Sequence, residues 1–261
     1  GYEHIQTPSF EYADIFNEDR GSVGAQEMFK FFDRDNNMLV LRPDMTPAVA
    51  RCVAKYFMDD DMPLRLCYLE RTFKNNTSYQ GYLKERAESG AELIGDDSPD
   101  ADAEMIAMVI DCLKAAGLKE FQVELGEVAF YRSLLQQSGL DEDAQAQLND
   151  LIENKNRFGV EEFLKNQDME ESLKEAFLKL PELFGGINQI KKAKALTDNP
   201  QALAAIERLE RVHTLLEEYH MADYVSYDLG MLSRYQYYTG IIFKAYTYGT
   251  GDKIVAGGRY D

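Results

Sequence analysis

The feature that most constrains this chain is a change of period partway along it. Residues 127–219 are rich in Leu, Glu, Lys and Ala at helical spacing, with breaks at Gly139, Pro181, Gly185-Gly186 and Pro200. Strand-type runs lie on either side of this block. Phe121-Gln122-Val123-Glu124-Leu125 alternates before it, and residues 224–229 and 241–248 resume strand patterns after it. A strand-rich region that is interrupted once by helices implies an α+β fold: an antiparallel sheet flanked by helices, with a helical insertion. The expected parts are a core segment over residues 1–126, a helical insertion over 127–219 and a second core segment over 220–261.

Local signals before the block are of mixed type. Phe29-Lys30-Phe31-Phe32-Asp33 and Met38-Leu39-Val40-Leu41 are short apolar runs joined by polar, turn-prone residues, which predicts a hairpin. Pro47 opens a helical pattern through Val49, Val53 and Phe57, with Thr46 as its expected N-cap. Residues 65–73 read as a strand, and residues 85–94 as its antiparallel return. Ser98-Pro99 is a helix start, with a capping hydroxyl followed by Pro at the first helical position, and Gly117 suits the end of that helix.

Several function classes are disfavoured. The net charge of -18 argues against a large nucleic-acid footprint, which needs Lys and Arg opposite phosphates. No run of 18 or more apolar residues is present, so no membrane partner is expected. Cys52, Cys67 and Cys112 stand apart in apolar runs and read as buried thiols in a reducing, cytoplasmic setting. Phosphate-binding and metal-binding motifs are missing. His213 and His220 read as ordinary helix residues, so no metal or other cofactor is expected. The chain opens at Gly1 without an initiator Met and stops at Asp261, which suggests that both ends continue.

Four further motifs occur in a telling order. Leu41-Arg42-Pro43-Asp44-Met45-Thr46-Pro47 resembles the LRPE-x-T element of histidyl-tRNA synthetases. Residues 65–95 can be laid without a gap on that family's motif 2, from Arg65-Leu66-Cys67-Tyr68 to Gly90-Ala91-Glu92-Leu93-Ile94-Gly95. Tyr237-Tyr238-Thr239-Gly240 resembles the end of the RGLDYYTG segment, and Ala256-Gly257-Gly258-Arg259-Tyr260-Asp261 resembles the AGGRYD turn. The resemblance implies a class II aminoacyl-tRNA synthetase-like core with a pocket shaped for histidine. Asp44 and Thr46, with Glu88 beside them, would then face the ammonium. Glu92 and Tyr238 would grip the imidazole, Tyr237 would line the wall, and Gly257 and Gly258 would let backbone approach the ligand.

The same resemblance exposes departures on the ATP side. Adenylation needs cations on the α-phosphate to stabilise a negatively charged transition state. The motif 2 Arg falls on Lys74, which lacks the planar fork, and the following Glu falls on Asn76. The Arg that opens RGLDYY falls on Ser233, and its Asp on Gln236. Ligand-side acids persist while ATP-side cations are altered. This pattern is similar to the regulatory subunits of ATP phosphoribosyltransferase, a paralogous family in histidine biosynthesis. Membership implies no catalytic residues of its own, L-histidine as ligand, and a homodimer core paired with a short-form catalytic subunit in a hetero-octamer. The competing expectation is an active histidyl-tRNA synthetase. One further departure is Glu88, which stands where Gln is usual and adds an acid near the ammonium.

Overall fold

The computed structural model describes residues 1–16, 23–76, 83–232 and 237–260. Its contacts divide the chain into two compact units, Gly1–Asp97 with Arg234–Tyr237, and Ser98–Ser233 with Tyr238–Asp261.

The first unit contains β1 (Glu3–His4), β2 (Phe10–Tyr12), β3 (Lys30–Phe32), β4 (Met38–Leu41), α1 (Thr46–Tyr56), β5 (Leu64–Phe73) and β6 (Glu85–Ile94). The expected hairpin is β3–β4, with Phe31 opposite Leu39. Its loop is held by Asp33, whose Oδ1 accepts from the backbone N–H of Asp35 and Asn37 at 2.9 and 2.8 Å. Asn36 takes the left-handed backbone, φ 64°, that such a loop requires. β2 completes this sheet beside β4. The second sheet of the unit runs β1-β5-β6, where β5 and β6 form a long antiparallel ladder from Leu64 opposite Ile94 to Phe73 opposite Glu85. Two small apolar clusters support these sheets. Ile5, Met45, Val49, Val53 and Leu66 form one, and Phe16, Val23, Met28, Val40 and Ala48 form the other.

The second unit contains α2 (Pro99–Ala115), β7 (Phe121–Glu127), α3 (Val128–Ser138), α4 (Glu142–Glu153), α5 (Arg157–Lys165), α6 (Glu171–Lys179), β8 (Phe184–Gly185), α7 (Asn188–Lys194), α8 (Pro200–Glu218), β9 (Val225–Asp228), β10 (Tyr238–Thr247) and β11 (Val255–Tyr260). Ser98 caps α2 by accepting from the Ala101 N–H at 3.2 Å, and Gly117 follows its end with φ 89°. The sheet order is β11-β10-β7-β9-β8, antiparallel except for the parallel pair β7–β9. One continuous apolar core joins this sheet to the helices. Val123, Leu125, Ile241 and Phe243 pack with Ile106, Ile110, Leu134, Ile206 and Leu209.

Some local expectations differ from the structure for identifiable reasons. Thr46 is the first residue of α1 rather than its cap, because its hydroxyl is directed to Glu92. The AGGRYD segment is a strand up to Tyr260 rather than a turn, because β10 supplies it with a ladder partner. Cys112 is exposed on α2, while Cys52 and Cys67 are half-buried. His213 is partnered, with Nδ1 2.7 Å from the Tyr227 hydroxyl, and His220 lies past the end of α8 with φ 57°. Among the described residues no helix is long and apolar enough to cross a membrane.

Candidate functional site

The alternation of β5 and β6 puts Leu66, Tyr68, Glu70 and Thr72 on one face, opposite Glu92, Gly90, Glu88 and Arg86. Glu92 is only 6% exposed on this face, and its Oε1 accepts from the Thr46 hydroxyl at 2.8 Å. Glu88 is half-buried directly across from Glu70. The Tyr68 ring lies over Gly90, where a Cβ would strike its hydroxyl end. Tyr68 and Glu70 were not among the expected site residues, although period-two counting along residues 65–73 places them on the Glu92 face.

Asp44 sits two residues before α1 and accepts two hydrogen bonds. The Thr46 N–H donates to Oδ1 at 3.3 Å, and the Tyr237 hydroxyl donates to Oδ2 at 3.2 Å. Part of its surface remains accessible, but the protein packed around it desolvates the carboxyl and raises its pKa. The positive charge of Lys74, the Thr46 N–H and the Tyr237 hydroxyl act in the opposite direction. The first unit thus brings Asp44, Thr46, Glu92 and Tyr237 into one hydrogen-bonded set.

Of the ATP-side positions, Lys74 closes the hairpin by donating its backbone N–H to the Lys84 carbonyl at 2.9 Å. The Asn76 Oδ1 is buried and has no hydrogen-bond partner among the described residues. Ser233, Arg234 and Gln236 lie outside the described residues, as do loop residues 77–82.

The other sequence-derived positions belong to the second unit. Tyr238 opens β10 opposite Tyr260, and the register shifts between it and Ile242. Its carbonyl accepts from Arg132 Nη2 at 3.1 Å. A Cβ at Gly258 would come within 2.8 Å of the Tyr238 ring and of Ile242. Gly257 faces the other way, and the Phe243 ring covers it. Arg259, from the same motif, donates Nε to Asp102 Oδ1 at 2.8 Å and Nη2 to the Ser98 carbonyl at 3.3 Å. Arg208 donates to the other oxygen of Asp102 at 2.7 Å. Glu127 feels the charges of this cluster; it is 1% exposed, with Oε1 accepting the Ala129 N–H at 3.1 Å and Oε2 without a partner among the described residues. Burial first, and then the charge of Asp102, push its carboxyl up to about 8, against the Ala129 N–H and the charges of Arg208 and Arg259.

Two cavities of the second unit lie elsewhere. One of about 830 Å³ lies between α6, α7 and the start of α8. Another, of about 210 Å³, is lined by Glu124, Lys155, Asp228, Lys244 and Tyr246. None of the sequence-derived residues lines either. Among the described residues no group of three or more His, Cys, Asp or Glu side chains is placed to hold a metal ion.

Comparison with known proteins gives these motifs a context. The family model of histidyl-tRNA synthetases matches residues 1–261. A curated ATP phosphoribosyltransferase regulatory subunit from Acetivibrio thermocellus is 39% identical over 261 residues, covering 100% of this chain and 62% of its own length. A crystal structure described as an ATP phosphoribosyltransferase regulatory subunit/histidyl-tRNA synthetase from Bacillus halodurans superposes with a TM-score of 0.91 at 35% identity, over 100% of this chain and 68% of that one. The chain belongs to the ATP phosphoribosyltransferase regulatory subunit family, within the histidyl-tRNA synthetase fold.

In that family this chain spans 62% of the length of the Acetivibrio relative. An ATP phosphoribosyl transferase complex from Thermotoga maritima shares the fold, with a TM-score of 0.74 at 22% identity, over 100% of this chain and 87% of that one. The α+β, class II synthetase-like architecture read from the motifs is therefore the architecture of the family.

Proposed function

We propose that this chain is part of a non-catalytic regulatory subunit that binds L-histidine and controls a short-form catalytic subunit of ATP phosphoribosyltransferase. What carries the reading is the contrast within the first unit. Asp44, Thr46, Glu92 and Tyr237 form a connected acid and hydroxyl set, while Lys74 and Asn76 stand, by the resemblance, where the synthetases' motif 2 has the Arg and Glu that address ATP. Acids and hydroxyls suit an ammonium and an imidazole, whereas a reacting triphosphate needs fixed cations. Asp44, Thr46 and Glu88 take the ammonium in this reading, and Glu92 takes a ring nitrogen.

Control would follow from unequal histidine affinity for two states of the complex, which is the only way a ligand shifts an equilibrium. A homodimer core, a hetero-octamer with the catalytic subunit and a cytoplasmic location belong to the same reading. The surface for self-association would be the β2-β4-β3 face, where Phe10 and Tyr12 are 52% and 54% exposed and Phe31 stacks edge-on against Phe10.

The test is calorimetry with histidine alongside histidine-dependent ATP–pyrophosphate exchange. Binding without exchange is expected, with Glu92→Ala abolishing the heat signal. Robust exchange would instead establish a working synthetase, and no binding with or without the catalytic subunit would remove histidine sensing. The role that the resemblance gives to Tyr238 is tested by Tyr238→Phe in the same titration.

A further inference from the structure

Among the described residues, Arg42 is the largest side chain with essentially no exposure. A buried guanidinium is costly unless its N–H groups are met, and here the fork is met on every side. Nε donates to the Arg71 carbonyl at 2.8 Å. Nη1 donates to the Thr7 carbonyl at 2.6 Å, the Thr7 hydroxyl at 3.1 Å and the Pro8 carbonyl at 3.0 Å. Nη2 donates to Glu70 Oε2 at 2.5 Å. The backbone continues the pattern, with Arg42 N–H on the Ser9 carbonyl and Phe73 N–H on the Arg42 carbonyl, both at 3.0 Å.

A buried ion pair of this kind seldom stabilises a fold more than apolar residues of the same volume would. What a rigid, saturated fork does supply is fixed geometry between the segments it joins. Both segments here carry the proposed site. The chain leaving Arg42 reaches Asp44 and Thr46 within one turn. The strand β5 bears Tyr68 over Gly90 and Glu70 across from Glu88, and its end leads into Lys74. Like charges directly opposite on a ladder repel, and the guanidinium on Glu70 offsets that repulsion at this rung.

We propose that Arg42 and Glu70 are a positioning pair. They hold the Asp44–Thr46 segment against the Glu88–Glu92 face and so set the affinity for the ammonium of the ligand. The proposal rests on the histidine reading for its ligand, but not for its geometry. Neither residue touches the ligand.

Glu70→Gln preserves the shape and removes the charge. Calorimetry on the full chain should show histidine affinity reduced about ten-fold. Combined with Asp44→Asn, the two losses should fail to add, because the second change removes the group that the first misplaces. Amide hydrogen exchange at residues 44–46 should accelerate while that of α8 stays as in the wild type. Should Glu70→Gln not fold, Thr7→Val, which removes only the hydroxyl acceptor of Nη1, should give the same signature in weaker form. Affinity and exchange at residues 44–46 indistinguishable from wild type, or strictly additive losses, would overturn the pair's role. If the wild-type chain binds no histidine but Glu70→Gln still frees the 44–46 amides, the ligand reading fails and the positioning role stands.

Discussion

The two compact units differ in how their most enclosed charge is met. In the first, each guanidinium nitrogen of the fully buried Arg42 has an acceptor and the neighbouring acids face hydroxyls and amides, while the apolar clusters around them are small. In the second, a continuous apolar core does most of the packing, and although Asp102 is held by Arg208 and Arg259, one oxygen of Glu127 has no partner among the described residues. The difference teaches that directional contacts organise the candidate site, whereas close packing holds the unit that carries the helices.

The comparison breaks most visibly in a pair of equal truncations. Leu209→Ala, in the core of the second unit, should lower unfolding free energy by about 2–5 kcal/mol in urea denaturation. Leu66→Ala, in a small cluster of the first unit, should cost less because fewer apolar neighbours surround the cavity. An equal or larger loss at Leu66 would show that the first unit also depends mainly on packing.

The next effect is a pH dependence at Glu127 of the second unit. Glu127 is held near 8 in the fold against an ordinary value of 4.5, so the folded chain keeps a proton that the unfolded chain releases in that interval. Its contribution is therefore fully present below about 4.5 and is lost as pH rises through about 8, on the order of 5 kcal/mol in all. Glu127→Gln should flatten this slope in thermal melts taken across that range. An unchanged slope would mean that Glu127 finds a counter-charge in Arg208 or Arg259.

Smaller effects sharpen the contrast between sheet faces. Gly257→Ala pushes a methyl into the Phe243 ring, itself 8% exposed and walled in by the core, and should cost about 1–3 kcal/mol. Gly90→Ala meets the Tyr68 ring on the Glu92 face, which is only partly buried, so histidine affinity should suffer more than stability. Smallest of all, Glu85→Ala removes the exposed partner of Arg71 and should change stability by about 0.5 kcal/mol or less.

Much of the fold was legible where a short-range signal decides the structure. The Asp33 loop, the Ser98-Pro99 helix start and the β5–β6 return each depend on residues near in sequence. The missed features depend on distant partners. Gly257-Gly258 reads as a turn because glycine weakens strands, yet here the rings of Phe243 and Tyr238 occupy the space that side chains would need. Thr46 reads as a cap until Glu92 is brought to its hydroxyl. The acids of the site were visible through the motifs, but the Arg42–Glu70 pair was not, because an Arg inside an apolar run carries no mark of what will surround it.

The crossing of Arg259 over Gly240 has an evolutionary corollary. A Cβ at position 240 would lie 3.1 Å from the Arg259 Cδ, and that side chain cannot yield easily while Asp102 and the Ser98 carbonyl hold its far end. Descendants that enlarge residue 240 would have to shorten residue 259 in the same lineage. The two positions should therefore be inherited as a couple, with Asp102 retained by its second partner, Arg208.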